Sequence, residues 1–281
     1  DWDKWEDPFR LTMDAYWKYQ AEKERKLYAI MDAFSQSNGH LTVSDARYIN
    51  TLKLFLTGIT PNEYMAHRGF ARMGREFPGA GPRVACMMQS LDEIRHAQTQ
   101  IHSLSNYNKH YNGFADWRHQ HDRVWYLSVP KSFFDDAVSA GPFEFIVAIG
   151  FAFEYVLTNL LFVPFISGAA YNGDMGAMAF GFSAQSDESR HMTLGLEVIK
   201  FILEQDPDNL PIVQRWIDKW TWRGTRKLAS VGMMMDYMLP KRIMSFKEAW
   251  EMYVEENGGA LFKDLARYGI TIPKCFSQTI E

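Results

Sequence analysis

Apolar residues recur along this chain mostly at intervals of three and four, the period of an α-helix, and the alternation of β-branched residues that marks strands is nearly absent. Leu11 to Phe34 reads as a charged amphipathic helix, Asp45 to Phe55 begins another, and Pro211 to Leu239 carries apolar and aromatic residues at mixed three- and four-residue spacing. Phe143 to Ala170 differs in being almost wholly apolar, so it has no polar face to give to water. A run of about 20 apolar residues also has the length of a bilayer crossing. Glu154, Thr158, Asn159 and Pro164 all fall inside it, however, and polar groups are costly in lipid, so a buried helix in a soluble core is the better account and no membrane contact is expected. Turns are expected at Ser37-Asn38-Gly39, Pro78-Gly79-Ala80-Gly81-Pro82 and Asn172-Gly173-Asp174. The pattern predicts an all-α protein forming one domain over residues 1–281, with no linker dividing it.

Composition narrows the possible functions. At 281 residues, 47% hydrophobic and 15% aromatic, the chain can bury a large core. Thirty basic against 34 acidic residues, with no long basic run, argue against nucleic acid as a partner. Cys86 and Cys275 are too few for a disulfide framework and suit a reducing, cytoplasmic location. They are also too few to hold an iron–sulfur cluster. Gly79-Ala80-Gly81 is only a fragment of a dinucleotide-binding loop. Any electrons used in redox chemistry must therefore come from another protein.

Two short segments repeat one another, Asp92-Glu93-Ile94-Arg95-His96 and Asp187-Glu188-Ser189-Arg190-His191, each inside a helical stretch. On a helix, residues three apart lie about 60° apart around the axis and one turn along it, so each Glu-x-x-His projects a carboxylate and an imidazole from one face. A single such pair is more often a solvent-facing pair than a ligand set. Here each copy has a further Glu upstream, Glu63 before the first and Glu154 before the second, at separations that allow an antiparallel helix and a return. Two Glu plus two Glu-x-x-His is the set that holds a pair of iron or manganese ions in a four-helix bundle. Pro61 suits the first turn of the helix carrying Glu63.

The first copy supplies a further expectation. Cys86, Gln89, Glu93, His96 and Gln100 form one stripe, with Val84, Met87, Met88, Leu91, Ile94 and Ile101 on the surrounding arc, so the polar stripe should face inward. Four buried carboxylates need compensating charge, because desolvating each alone costs several kcal/mol or more. Two divalent cations balance them, and imidazole with carboxylate and no thiolate favours iron or manganese. Asp92 and Asp187 are expected to accept from the imidazoles, with Arg95 and Arg190 as their counter-charges; the competing view of these four is an ordinary surface ion pair.

With these residues in view, the chain resembles the large catalytic subunit of the bacterial multicomponent monooxygenases over nearly its whole length. Leu41-Thr42-Val43-Ser44-Asp45-Ala46-Arg47, Tyr155-Val156-Leu157-Thr158-Asn159 and Ser183-Ala184-Gln185-Ser186-Asp187-Glu188 are similar to the phenol hydroxylase branch. The resemblance implies a ferritin-like four-helix bundle core with additional helices. It implies Glu63, Glu93 and His96 as ligands of one iron, and Glu154, Glu188 and His191 of the other. It also implies catalytic roles for Thr158, Asn159 and Gln185, and a substrate pocket of Ile59, Ala66, Phe133, Ile149, Phe153, Phe162 and Gln100. For the pocket, plain core packing is the favoured reading of the residues themselves. Because the family's large subunit is longer, the sequence is expected to be an internal piece.

The implied activity is dioxygen-dependent hydroxylation of an aromatic ring, phenol or a methylphenol giving a catechol. NADH, FAD and an iron–sulfur cluster would sit only on a partner reductase. Smaller hydroxylase subunits and a regulatory protein are expected, in a dimer of heterotrimers. A toluene or benzene monooxygenase subunit is the near alternative. A desaturase or a ribonucleotide reductase small subunit would share the ligands, but Gln100 stands where the reductase keeps its radical-bearing Tyr. A non-catalytic structural subunit of such a complex would lack the ligand set.

Overall fold

The computed structural model describes residues 1–115, 117–238 and 244–277, and of Trp117 and Arg118 only the backbone. Helices make up the fold, with no strand among the described residues. The long ones are α1 (Met13–Gln36), α2 (Ala46–Glu76), α3 (Ala80–Tyr107), α8 (Met175–Gln205), α9 (Leu210–Met235) and α10 (Phe246–Ala266). Between α3 and α8 come α4 (Trp117–Arg123), α5 (Ser128–Ser139), α6 (Pro142–Ile146), a π-helical segment (Val147–Tyr155) and α7 (Asn159–Tyr171). Leu239, the expected end of the Pro211 helix, lies outside the described residues; the helix itself ends at Met235.

Side chains fix the helix starts. Thr12, Asp45 and Asp174 each accept from a backbone N–H three residues on, and Ser245 and Glu248 form a reciprocal capping box. The expected turns form where Asn38 and Gly173 adopt left-handed backbone, at φ 54° and 71°. Asp174 also takes the hydroxyls of Tyr48 and Tyr107 from α2 and α3, which ties the start of α8 to that helical hairpin.

The bundle core consists of the α2–α3 hairpin facing the π segment and α8, with α1 and α9 packed outside. Two expectations need correction. Pro61 lies in the middle of α2, where it removes one N–H from the ladder. The carbonyl this leaves without its helical partner is that of Thr57, and beside it the Thr57 hydroxyl and the Asn62 amide donate to the carbonyls of Lys53 and Gly58. Secondly, Val84, Met87 and Ile101 are exposed rather than part of a buried arc, although the polar stripe opposite them is buried as expected.

The apolar run from Phe143 does not form one regular helix. Residues 147–155 take the wider π turn, and the axis bends by 42° before α7. Among the described residues no single helix is long and apolar enough to cross a membrane; the bent pair could by length and composition only. Most of its side chains, Phe145 to Glu154 included, are buried inside the bundle.

Candidate metal centre

Glu63 on α2, Glu93 and His96 on α3, Glu154 on the π segment, and Glu188 and His191 on α8 converge at the middle of the bundle. His96 Nδ1 lies 3.9 Å from both Glu63 Oε2 and Glu93 Oε2. His191 Nδ1 lies 3.5 Å from Glu93 Oε1, 3.6 Å from Glu154 Oε2 and 3.5 Å from Glu188 Oε2. Glu93 thus turns one oxygen to each imidazole and could serve as a ligand beside either one.

The donor atoms have no protons to share that would satisfy them all. His96 Nδ1, His191 Nδ1, Glu154 Oε2 and Glu188 Oε2 are buried without a hydrogen-bond partner. Ligand atoms of Glu63, Glu93 and His96 lie within 4.8 Å of one another, as do those of Glu93, Glu154 and His191, so these nitrogen and oxygen lone pairs fit divalent cations. The electrostatics agree. Burial and the charge of Glu154 push Glu93 and Glu188 well above the usual carboxylate range. Burial alone would lower His191, but Glu154, Glu188 and Glu93 outweigh it and raise it to about 10. The protein groups by themselves therefore retain protons that bound cations would displace.

The outer ring nitrogens fix the imidazoles, and they do so crosswise. His96 Nε2 on α3 donates to Asp187 Oδ2 on α8 at 3.2 Å, and His191 Nε2 on α8 donates to Asp92 Oδ2 on α3 at 3.1 Å. This selects the tautomer with the Nδ1 lone pair inward. Arg95 pairs with Asp92 at 3.1 Å and stands 3.7 Å from Asp187, and Arg190 pairs with Asp92. All four of these residues are thus gathered at the cluster rather than spread on the surface.

Helix α1 contributes partners that sequence reasoning missed. The Gln20 amide donates to Asp92 Oδ1 and Asp187 Oδ1 at 2.8 and 2.7 Å, Tyr16 donates to Asp92 Oδ1 at 2.8 Å, and Lys23 pairs with Asp187 at 2.5 Å. Their only signal was polar residues at i, i+4 and i+7 on an otherwise solvent-facing pattern.

Beside the cluster lies a cavity of about 20 Å³, room for one or two water molecules. Of the expected pocket residues, Ile59, Ala66, Phe153 and Phe162 line it. Phe133, Ile149 and Gln100 do not, and Phe134 and Leu161 stand in the wall instead. Gln100 instead accepts from Thr60 at 2.6 Å and donates to Glu63 Oε1 at 3.0 Å, which orients that carboxylate. Thr158 lines the cavity with its hydroxyl oxygen buried and unpartnered, in the break between the π segment and α7. Asn159 and Gln185 are half-buried and do not reach the cavity. Asn62 and Lys227, both buried, complete its polar lining.

A family model described as Methane/Phenol/Alkene Hydroxylase matches residues 1–206. The chain belongs to the methane/phenol/alkene hydroxylase family. Within this hydroxylase family it is 71% identical, over 99% of its length, to the oxygenase component DmpN of phenol 2-monooxygenase from Pseudomonas sp. (strain CF600), of which it covers 54%. It is 31% identical, over its whole length, to the alpha subunit of the alkene monooxygenase oxygenase component from Xanthobacter autotrophicus, covering 56% of that chain. The chain thus spans about half the length of the curated relatives it matches. Among solved structures, phenol hydroxylase from Pseudomonas sp. OX1 superimposes with a TM-score of 0.92 at 74% identity, over 98% of this chain and 56% of that one. The toluene 4-monooxygenase hydroxylase shares the fold, with a TM-score of 0.78 at 18% identity, over 83% of this chain and 78% of that one.

Proposed function

We propose that this chain is the catalytic, metal-holding part of a phenol-hydroxylating oxygenase, a single diiron domain that converts phenol or a methylphenol to a catechol. The observation that carries the reading is Glu93, whose two oxygens face the two imidazoles from within a ring of further carboxylates. High identity to a phenol 2-monooxygenase oxygenase component supports the substrate class. In the net reaction phenol, dioxygen, NADH and a proton give a catechol, water and NAD⁺. The electrons arrive from a separate NADH-dependent reductase carrying FAD and an iron–sulfur cluster.

Glu63, Glu93 and His96 would hold one iron, and Glu154, Glu188 and His191 the other. When bound, the metal pair supplies the redox chemistry that activates dioxygen. The protein's part is positioning and exclusion. Asp92 and Asp187 keep the imidazole lone pairs inward, and Gln100 holds the Glu63 carboxylate. Ile59, Ala66, Phe134, Phe153 and Phe162 give the cavity apolar and aromatic walls of the kind an aromatic ring packs against. Thr158 presents an unpartnered hydroxyl at the cavity wall beside the carboxylate cluster, able to hold or pass on a proton at Oγ1. We assign Asn159 and Gln185 an indirect role, since neither lines the cavity. The assembly would be a cytoplasmic dimer of heterotrimers, with smaller hydroxylase subunits and a regulatory protein.

The test is elemental analysis of the chain purified with its partner subunits, followed by a phenol-to-catechol assay. About two irons per chain are expected, with catechol as product. Glu154→Ala should lose iron and activity together. Folded protein without metal would refute the oxygenase reading and favour a structural subunit.

A further inference from the structure

Lys227 is the least explained residue near the metal centre. It lies on α9, three residues after Gly224, whose missing side chain lets that helix pack against Leu157 and the end of the π segment. Its side chain is only 2% exposed and reaches the cavity, where Nζ sits 3.1 Å from the ring centroid of Phe153 and 4.3 Å from that of Phe134. Among the described residues no hydrogen bond or ion pair reaches Nζ, and the nearest groups are aromatic faces. Burial pushes this amine well below the usual lysine range, against the opposing pull of Glu63, Glu154, Glu93 and Glu188. A donor kept in an apolar wall without an acceptor is costly unless a ligand satisfies it.

A second atom in the same wall has the complementary need. Asn62 donates its amide Nδ2 to the Gly58 carbonyl at 3.2 Å, which leaves Oδ1 as the free end. That oxygen is buried and has no partner. Asn62 is 2% exposed and lines the cavity together with Lys227. The cavity therefore offers, between aromatic walls and with the carboxylate cluster as its floor, an amine without a hydrogen bond among the described residues and an amide oxygen without a donor, in addition to the Thr158 hydroxyl. A phenolic hydroxyl is both acceptor and donor, and a plain arene is neither.

We propose that Lys227 and Asn62 form the hydroxyl-recognition site that selects a phenol over an unsubstituted arene and sets the ring position attacked. The inference rests on the reading of the chain as a phenol-oxidising oxygenase. Lys227 Nζ–H donates to the phenol oxygen and the phenol O–H donates to Asn62 Oδ1. With the oxygen held there, attack is expected at the ring carbon next to it, which gives a catechol. At about 20 Å³ the cavity does not admit the ring as it stands, so the aromatic walls must shift on binding while the polar pair is already in place.

The experiment uses the complete hydroxylase with its regulatory protein and reductase, and compares wild type, Lys227→Met and Asn62→Ala on phenol, anisole and benzene. Phenol binding to the resting enzyme is measured by calorimetry alongside KM, kcat, the product isomers and iron content. Lys227→Met should raise KM and Kd for phenol about tenfold more than for benzene, the worth of one hydrogen bond. Hydroquinone or resorcinol should appear beside catechol, and iron content should hold. Asn62→Ala should weaken phenol more than anisole, because anisole has no proton to donate. Equal changes for phenol and benzene with catechol as sole product, or loss of iron in Lys227→Met, would overturn the proposal. If Lys227→Met does not accumulate, the phenol-to-anisole ratio in Asn62→Ala and the phenol-to-benzene ratio in Lys227→Gln decide. Wild type that oxidises benzene but not phenol would overturn the function reading itself, whereas catechol formation indifferent to both residues would overturn only this inference.

Discussion

Gln20 shows how far the metal centre depends on a residue that is not a candidate ligand. Its one amide nitrogen donates to both Asp92 and Asp187, and those carboxylates in turn orient the two imidazoles. Gln20→Leu removes both bonds and takes from Asp187 Oδ1 the one hydrogen bond it has among the described residues, while Asp92 Oδ1 keeps Tyr16 and Arg95, so iron affinity measured by chelator competition should fall about tenfold or more. Unchanged affinity would mean that Arg95, Arg190 and Lys23 suffice to hold the aspartates. At this scale the Glu and His positions were legible because few other residue types could supply that chemistry at that spacing. Gln20, Tyr16 and Lys23 were not, since each sits on a charged amphipathic helix whose pattern reads as surface. Asn62 and Lys227 were missed for another reason: a polar residue in a helix signals a site only once its neighbours are known.

Helix packing around the cluster turns on one close crossing. Gly195 of α8 lies against Gly150 of the π segment so tightly that a Cβ at 195 would stand 2.1 Å from the Gly150 carbonyl oxygen and 2.8 Å from the Phe151 nitrogen. Both obstacles are backbone, so no rotamer change relieves them. Gly195→Ala should destabilise the protein by about 1–3 kcal/mol in chemical denaturation. It should also lower metal content, because Glu154 and Glu188 lie on the two helices forced apart. Wild-type stability in that variant would show that the helices can separate without harm. The existence and order of the elements were readable from apolar spacing, but the π turns and the 42° bend were not. A segment buried on all sides has no polar face to mark its period, so four-residue and five-residue hydrogen bonding leave the same apolar pattern. Pro61 misled for a related reason: a proline suits a first turn, and only the packing of α2 on both sides of it shows that the helix runs through.

The stability of the molecule should carry a mark of His40, which is buried between Phe34, Tyr107 and His110. Burial, with His110 and Lys109 nearby, lowers its pKa from 6.5 to about 4. Between those values the unfolded chain binds a proton that the folded chain refuses, so stability falls as the pH falls from about 6.5 towards 4. Denaturation midpoints across that window should drop less steeply in His40→Leu than in wild type, and parallel curves would remove His40 from the account. The metal centre has a comparable reach across the chain. Asp92 of the first repeated segment grips His191 of the second, and Asp187 of the second grips His96 of the first. The repetition therefore provides no spare copy: damage to one segment disables the other, and two segments that look redundant in the sequence fail as one.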